Sequence, residues 1–229
     1  MKTKKVLFIW VYLISTALIA NAQLIDNYGF KFSYGVSNQN WSYQNSVLSD
    51  LSGWKTNKNS FVFQLFAEKN IGQNFVLNCG LGYLQNGFTE QVDLTFYSGE
   101  TAKIINDKVS FHNLNFDLSL KYKLNQNKVQ PYLFTGISSN YLIDYKTAIV
   151  EYQGTEYNLD TEIYDGFNKI TLGGIIGFGL SYKNKVFAEF EYKPAITNNL
   201  NNQNLTIKSR YVGLVIGLNI NDIINKQKK

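Results

Sequence analysis

Eight charged side chains sit in every-second-residue patterns, which makes them the first place to look for chemistry. Glu189, Glu191 and Lys193 alternate with Phe190 and Tyr192, while Asp117, Lys121 and Lys123 alternate with Leu118, Leu120 and Tyr122. Lys31 lies between Phe30 and Phe32, and Glu68 follows Ala67 at the end of a similar run. Period two places such residues on one face of a β-strand. The cations Lys31, Lys121, Lys123 and Lys193 equal in number the anions Glu68, Asp117, Glu189 and Glu191. Buried charges persist only when paired and hydrogen-bonded, so equal numbers on one enclosed face imply a cross-linked ionic network. Such a network can fix shape or carry protons and ions; the shape-fixing plug is the expectation. On a solvated outer face, the same charges would do neither.

Other candidate groups are fewer. His112 is the only histidine, so a cluster of histidine metal ligands is excluded and any serine–histidine dyad must use it. Ser110 shares its face, but residues two apart on a strand are ~6.5 Å apart, too far for a direct hydrogen bond. Cys79 falls among apolar residues and reads as a small hydrophobe, not a nucleophile. Asp160, Glu162 and Asp165 have no calcium-loop spacing and read as solvated charge. Trp41, Tyr43 and Trp54 read as aromatics in polar loops, where such residues serve as binding anchors or as loop packing. The expectation is no catalytic residue, no cofactor and no metal.

The elements that must position these groups are strands. Residues 114–124 alternate apolar and polar side chains without interruption. Similar alternation marks 29–37, 61–68, 74–83, 170–182, 186–193 and 211–220. In 131–143 both registers are apolar (Tyr132 and Phe134 against Leu133, Ile137 and Tyr141), so its faces stay open. The links alternate short and long: 69–73, 125–130 and 183–185 are tight, whereas 38–60, 86–109, 144–169 and 194–207 are extended. Strands of about this length cross a bilayer when tilted, and alternating short and long links typify outer-membrane barrels. The fold class expected is all-β, a closed antiparallel transmembrane barrel of about eight strands, with short periplasmic turns and long extracellular loops. Alternation within the long links, around 91–97 and 148–152, leaves ten strands possible and predicts hairpins that extend the sheet.

A closed sheet is required because an unpaired backbone group in hydrocarbon costs several kcal/mol. Eight strands leave a bore that side chains fill, and inward glycines make room for bulkier neighbours. A soluble calycin-type barrel would reverse the two faces. Against it stand Tyr34, Tyr83, Tyr122, Tyr182 and Tyr192 near strand ends, suited to headgroup belts.

Composition agrees. The 229 residues include 16 Tyr, 16 Phe, 17 Gly and two Pro. Lys2, Lys4 and Lys5, an apolar run over 6–20 and the Ala20-Asn21-Ala22 site form a secretory signal peptide, cut after Ala22. The remaining domain spans 23–220, with a polar tail over 221–229. Of 22 basic and 17 acidic residues, three lysines leave with the signal, so 19 face 17 and the net charge is +2. No basic patch points to nucleic acid. One cysteine excludes an internal disulfide.

The strand Phe116-Asp117-Leu118-Ser119-Leu120-Lys121-Tyr122, its tight turn, the following Pro131-Tyr132-Leu133-Phe134-Thr135-Gly136 and the signal ending Ala-Asn-Ala-Gln resemble the PorT-like outer-membrane barrels of Bacteroidetes. The resemblance covers essentially the whole exported chain. It implies location in the Gram-negative outer membrane and a link to a secretion system. Barrels of that group end on an aromatic residue; this chain departs, with its last strand closing near Ile220. The functional expectation is a non-enzymatic, monomeric barrel in contact with outer-membrane lipid, with a structural, adhesive or secretion-accessory role through its loops or a protein partner at the surface or in the periplasm. The alternatives are a lipid-modifying membrane enzyme and a soluble periplasmic ligand-binding barrel.

Overall fold

The computed structural model describes residues 25–43, 55–91 and 102–221. The signal segment, Trp54, the alternation at 92–97 and most of the tail lie outside the described residues. In chain order the elements are β1 (Asn27–Tyr43), β2 (Lys55–Thr56), β3 (Lys58–Ile71), β4 (Phe75–Glu90), β5 (Lys103–Asn106), β6 (Lys108–Lys123), β7 (Val129–Lys146), β8 (Ile149–Tyr152), β9 (Thr155–Asn158), α1 (Thr161–Asp165), β10 (Ile170–Tyr182), β11 (Val186–Pro194), β12 (Leu200–Asn201) and β13 (Leu205–Asn219).

Eight of these close a ring in the order β1-β3-β4-β6-β7-β10-β11-β13, and β13 returns to pair with β1. Every seam is antiparallel, as connection by tight turns requires. β2 and β12 add two residues each at one rim. The β8–β9 hairpin does not extend the barrel sheet; it pairs with β5 in a separate three-stranded sheet.

The short links form one end of the cylinder, together with both ends of the strand sequence. The tightest is Lys183-Asn184, where both residues adopt left-handed φ (52° and 55°). That is the type I′ geometry whose twist matches paired strands, and asparagine tolerates it well. The long links gather at the opposite end.

Alternation decides what each face meets. Outward from β13 point Val212, Leu214, Ile216 and Leu218; Leu214 and Ile216 are each 66% exposed. Phe30, Phe32 and Tyr34 on β1, Phe63 and Leu65 on β3, and Phe178 and Leu180 on β10 continue this apolar belt around the wall. On β7 the open question resolves: Leu133, Ile137 and Tyr141 point outward, while Tyr132 and Phe134 are buried inside. A soluble barrel with reversed faces is thereby excluded, because no water-soluble surface sustains so continuous an apolar belt. Inside, two glycines are required by close approach. A Cβ at Gly217 would run into the Phe187 ring, and one at Gly179 would lie 2.6 Å from the Tyr132 ring.

Candidate functional site

The enclosed charges form two clusters, each with one lysine between two carboxylates. Lys121 Nζ lies 2.7 Å from Glu189 and 3.0 Å from Glu68. Lys193 Nζ lies 2.8 Å from Asp117 and 3.7 Å from Glu191. Lys31 is buried near Asp117 and Glu189, so its charge bridges the clusters without direct contact. Lys123 sits at the mouth with the short turns, its ammonium 3.4 Å from Asn184. All eight residues therefore share one interior, as their period requires.

Neutral donors complete the network. The Tyr132 hydroxyl donates to Glu189 at 2.7 Å, and Gln64 donates to Asp117 at 2.9 Å. Asn115 turns its amide toward Asp117, Ser138 and Asn140. The Lys121 ammonium also rests 4.6 Å from the Phe187 ring centre and 5.0 Å from that of Tyr132, so aromatic faces replace part of its lost hydration. Charge-assisted hydrogen bonds of this kind are roughly twice as strong as neutral ones, and removing one partner strands a desolvated charge. The sequence pattern identifies the charges; Gln64, Asn115 and Tyr132 needed the register.

Little empty space remains. A cavity of about 40 Å³ lies above the clusters, lined in part by Asn86, Asn113, Asn140 and Tyr211, and one of about 20 Å³ lies below, beside Phe66 and Phe187. Each has room for only a few waters.

Above the network is a second seal that the sequence reading missed. Trp41, Phe88, Val109, Phe111, Leu142, Tyr164, Phe167, Leu205 and Ile207 pack into one buried cluster at the long-loop end. Trp41 and Tyr43 accordingly lie on β1, not in a loop, and Trp41 is only 3% exposed. The physical reason is a change of phase. Up to Val36, β1 points apolar residues outward; beyond it Asn38, Asn40 and Ser42 take the outward positions and Trp41 turns in. β13 does the same, with Lys208 and Arg210 outward and Leu205 and Ile207 inward. Where the outside becomes water, the polarity of the wall reverts to that of a soluble protein. Apolar residues continuing in the opposite register were the available signal.

α1 closes this cap with Tyr164 and Phe167. Its leading residue Asp160 adopts left-handed φ of 54° and stands near Glu90. Burial pushes the Glu90 carboxyl upward, opposed by the Lys55 ammonium 3.4 Å away and reinforced by Asp160. Lys55 in turn lies 4.0 Å from the Trp41 ring centre. Asp165 accepts the Tyr145 hydroxyl, which pushes that phenol up to about 12.

The remaining candidates do not assemble. Ser110 accepts a 2.5 Å hydrogen bond from Lys58, whereas His112 Nδ1 pairs with the Tyr83 hydroxyl. The two share no partner, so no dyad is formed. Cys79 is a free thiol on the outward register between Ala67 and Leu118.

A closed antiparallel cylinder with an apolar belt outside and an ionic interior is a transmembrane barrel of the outer-membrane class. The chain belongs to the family described as outer membrane protein beta-barrel domain, whose model matches residues 21–201. The match ends before β13, the strand that closes the ring. Among solved structures, Neisserial surface protein A is similar at 15% identity, covering 82% of this chain and 96% of that one with a TM-score of 0.39. The attachment invasion locus protein Ail of Yersinia pestis is 11% identical over 83% and 98% of the two chains, TM-score 0.35. The outer membrane enzyme PagL is 11% identical over 81% and 97%, TM-score 0.40. No curated protein matches the chain.

Proposed function

We propose that this protein is a non-conducting, non-enzymatic outer-membrane barrel whose activity resides on its outer surface, in contact with a protein partner. One observation carries the reading: the lumen is stopped twice, by the Lys121 and Lys193 clusters and by the aromatic cap around Trp41 and Tyr164. A transport pore needs a continuous polar path, whereas a display scaffold needs rigidity. Eight strands with a filled bore supply rigidity. The surface on offer is the β5-β8-β9 sheet, where Ile104, Ile105 and Tyr157 are exposed. A secretion-accessory role is the narrower form of this proposal, supported by the resemblance to PorT-like barrels; adhesion is the other.

The test is electrical and cellular. Reconstituted in planar bilayers, the protein should give no conductance steps. Replacing 149–158 by a two-residue turn should leave barrel assembly intact while abolishing partner cross-linking or adhesion of cells expressing it. Unitary conductance, or lipid turnover that disappears in His112→Ala, would overturn the proposal.

A further inference from the structure

Buried lysines elsewhere in the chain stand near carboxylates. Lys55 meets Glu90, Lys121 meets Glu68 and Glu189, Lys193 meets Asp117 and Glu191, and Lys31 lies near Asp117 and Glu189. Lys58, at the long-loop end where β3 begins, does not. It is only 8% exposed, and among the described residues it forms no ion pair. Its ammonium donates instead to the Ser110 hydroxyl at 2.5 Å. To do so the side chain crosses β4 at Gly87, which stands opposite Ser110 and has no side chain to obstruct it.

Ser110 is the hub of a basic patch. Lys146 is its cross-strand neighbour on β7, and Lys108 and His112 lie two residues away on β6. Lys108 and Lys146 are exposed, so the patch is reachable from outside. His112 adds a second unmet group: Nδ1 pairs with the Tyr83 hydroxyl, but the buried Nε2 has no partner. With Nδ1 accepting the Tyr83 proton, Nε2 is left as a donor. The carboxylate in register with the patch, Asp144 opposite His112, accepts from the Tyr145 amide at 2.8 Å. Burial, together with the charge of Lys108, pushes the Lys58 amine down to about 8. It therefore stays mostly protonated at neutral pH, a desolvated cation without a counter-charge.

We propose that this patch binds a phosphate group from outside the protein, with Lys58 as its principal cation. Ser110 and His112 Nε2 supply hydrogen bonds, and Lys108 and Lys146 add charge from the exposed side. The anion completes what the fold leaves unmet, a counter-charge for Lys58 and a partner for His112. Height on the wall bears on its source. Ser110 and His112 continue the outward register of β6 beyond Leu120, Phe116 and Leu114, where the apolar belt ends. Lipid phosphates lie at that boundary, and soluble phosphate esters reach it from the medium.

Full-length protein in dodecyl maltoside micelles, which carry no phosphate, is titrated by calorimetry with inorganic phosphate and with dodecyl phosphate at constant ionic strength. Saturable binding is expected. Loss of a hydrogen bond to a charged group predicts about thirtyfold weaker binding in Lys58→Met and about fivefold in Ser110→Ala. Lys128→Gln, in a turn at the opposite end, should bind as the parent does. Dodecyl phosphate binding about tenfold tighter or more assigns the site to a membrane lipid, because its chain joins the apolar belt. Equal affinities assign it to soluble phosphate esters. Urea unfolding separates the site from a structural role. Without phosphate, Lys58→Met should unfold at the same or a higher urea concentration than the parent, because it removes an uncompensated charge; phosphate should raise the parent's midpoint and leave the variant's unchanged. Undiminished binding in Lys58→Met, no saturable binding of either probe, or a lower midpoint for Lys58→Met in the absence of phosphate overturns the proposal.

Discussion

Replacing Lys121 by methionine tests the ionic interior most directly, because methionine keeps most of the side-chain length and removes only the charge. Two carboxylates lose their partner. Glu68 lies near the mouth and is 13% exposed at its side chain, so water and Lys123 can take over. Glu189 is 1% exposed and keeps only the Tyr132 hydroxyl at 2.7 Å and the more distant Lys31. Stranding one member of a buried pair costs about 3–5 kcal/mol, a large share of the 5–15 kcal/mol roughly typical of whole domains. Glu189→Gln is milder, about 1–3 kcal/mol, because Lys121 keeps Glu68 and the amide still accepts from Tyr132. The combined Lys121→Met/Glu189→Gln protein leaves no deeply buried orphan and should be more stable than Lys121→Met alone, with a coupling of about 2–3 kcal/mol. Reversible urea unfolding in micelles, read by the gel shift between folded and heated forms, measures all four corners of the cycle. A Lys121→Met penalty below about 1 kcal/mol, or strict additivity in the pair, would refute the claim that this cluster is a desolvated, mutually dependent unit.

Three further outcomes follow from the geometry. Leu118→Asp, on the outward face, should block membrane assembly, while Ser119→Asn is tolerated because its amide oxygen can accept the hydrogen bond that the Asn78 amide gives the hydroxyl at 3.2 Å; equal effects on insertion would contradict the face assignment. Burial holds the folded Glu90 carboxyl above its ordinary value of 4.5, so the folded state binds the extra proton and the cap loses stability as pH rises through and beyond that value. The protection factors of the Tyr164 and Phe167 amides, exchange rates corrected for the base-catalysed intrinsic rate, should therefore fall from acid to neutral pH, and Glu90→Gln should flatten the trend; protection that rises with pH would reverse the assignment. Gly217→Leu should prevent refolding by colliding with the Phe187 ring, and Phe187→Ala in the same chain should restore the heat-shifted band.

Within the membrane, the fold was legible because the outward residues of each strand are apolar and most inward ones are polar or glycine. That rule alone separated Leu118 from Ser119 and Glu189 from Phe190. It was silent on β7, whose inner residues Tyr132 and Phe134 are themselves aromatic because they fill the space left by the glycines of β10. It misled above Val36, where the surrounding medium changes and the pattern inverts. Trp41 read as a loop residue for that reason alone. The lysine–carboxylate pairings were legible only as a balance of charge, since which lysine meets which acid depends on the stagger between strands far apart in sequence.

The inversion also explains why two different seals occur in one bore. At membrane depth the outer face must be apolar, which leaves the inner face to polar residues, and these satisfy one another as ion pairs and amide ladders. Above the membrane the outer face is free to be polar, so the interior can be apolar, and it closes by hydrophobic packing instead. The two seals should therefore respond to different perturbations. Salt acts on exposed charge and leaves the desolvated Lys121 and Lys193 clusters largely untouched, because burial removes both from screening. The cap depends on a short helix and a buried carboxylate, so it should open first, with the barrel below still closed. Exchange at Tyr164 that outpaces exchange at Asn115 under every condition is what this order requires; coincident opening would mean that wall and cap form a single cooperative unit.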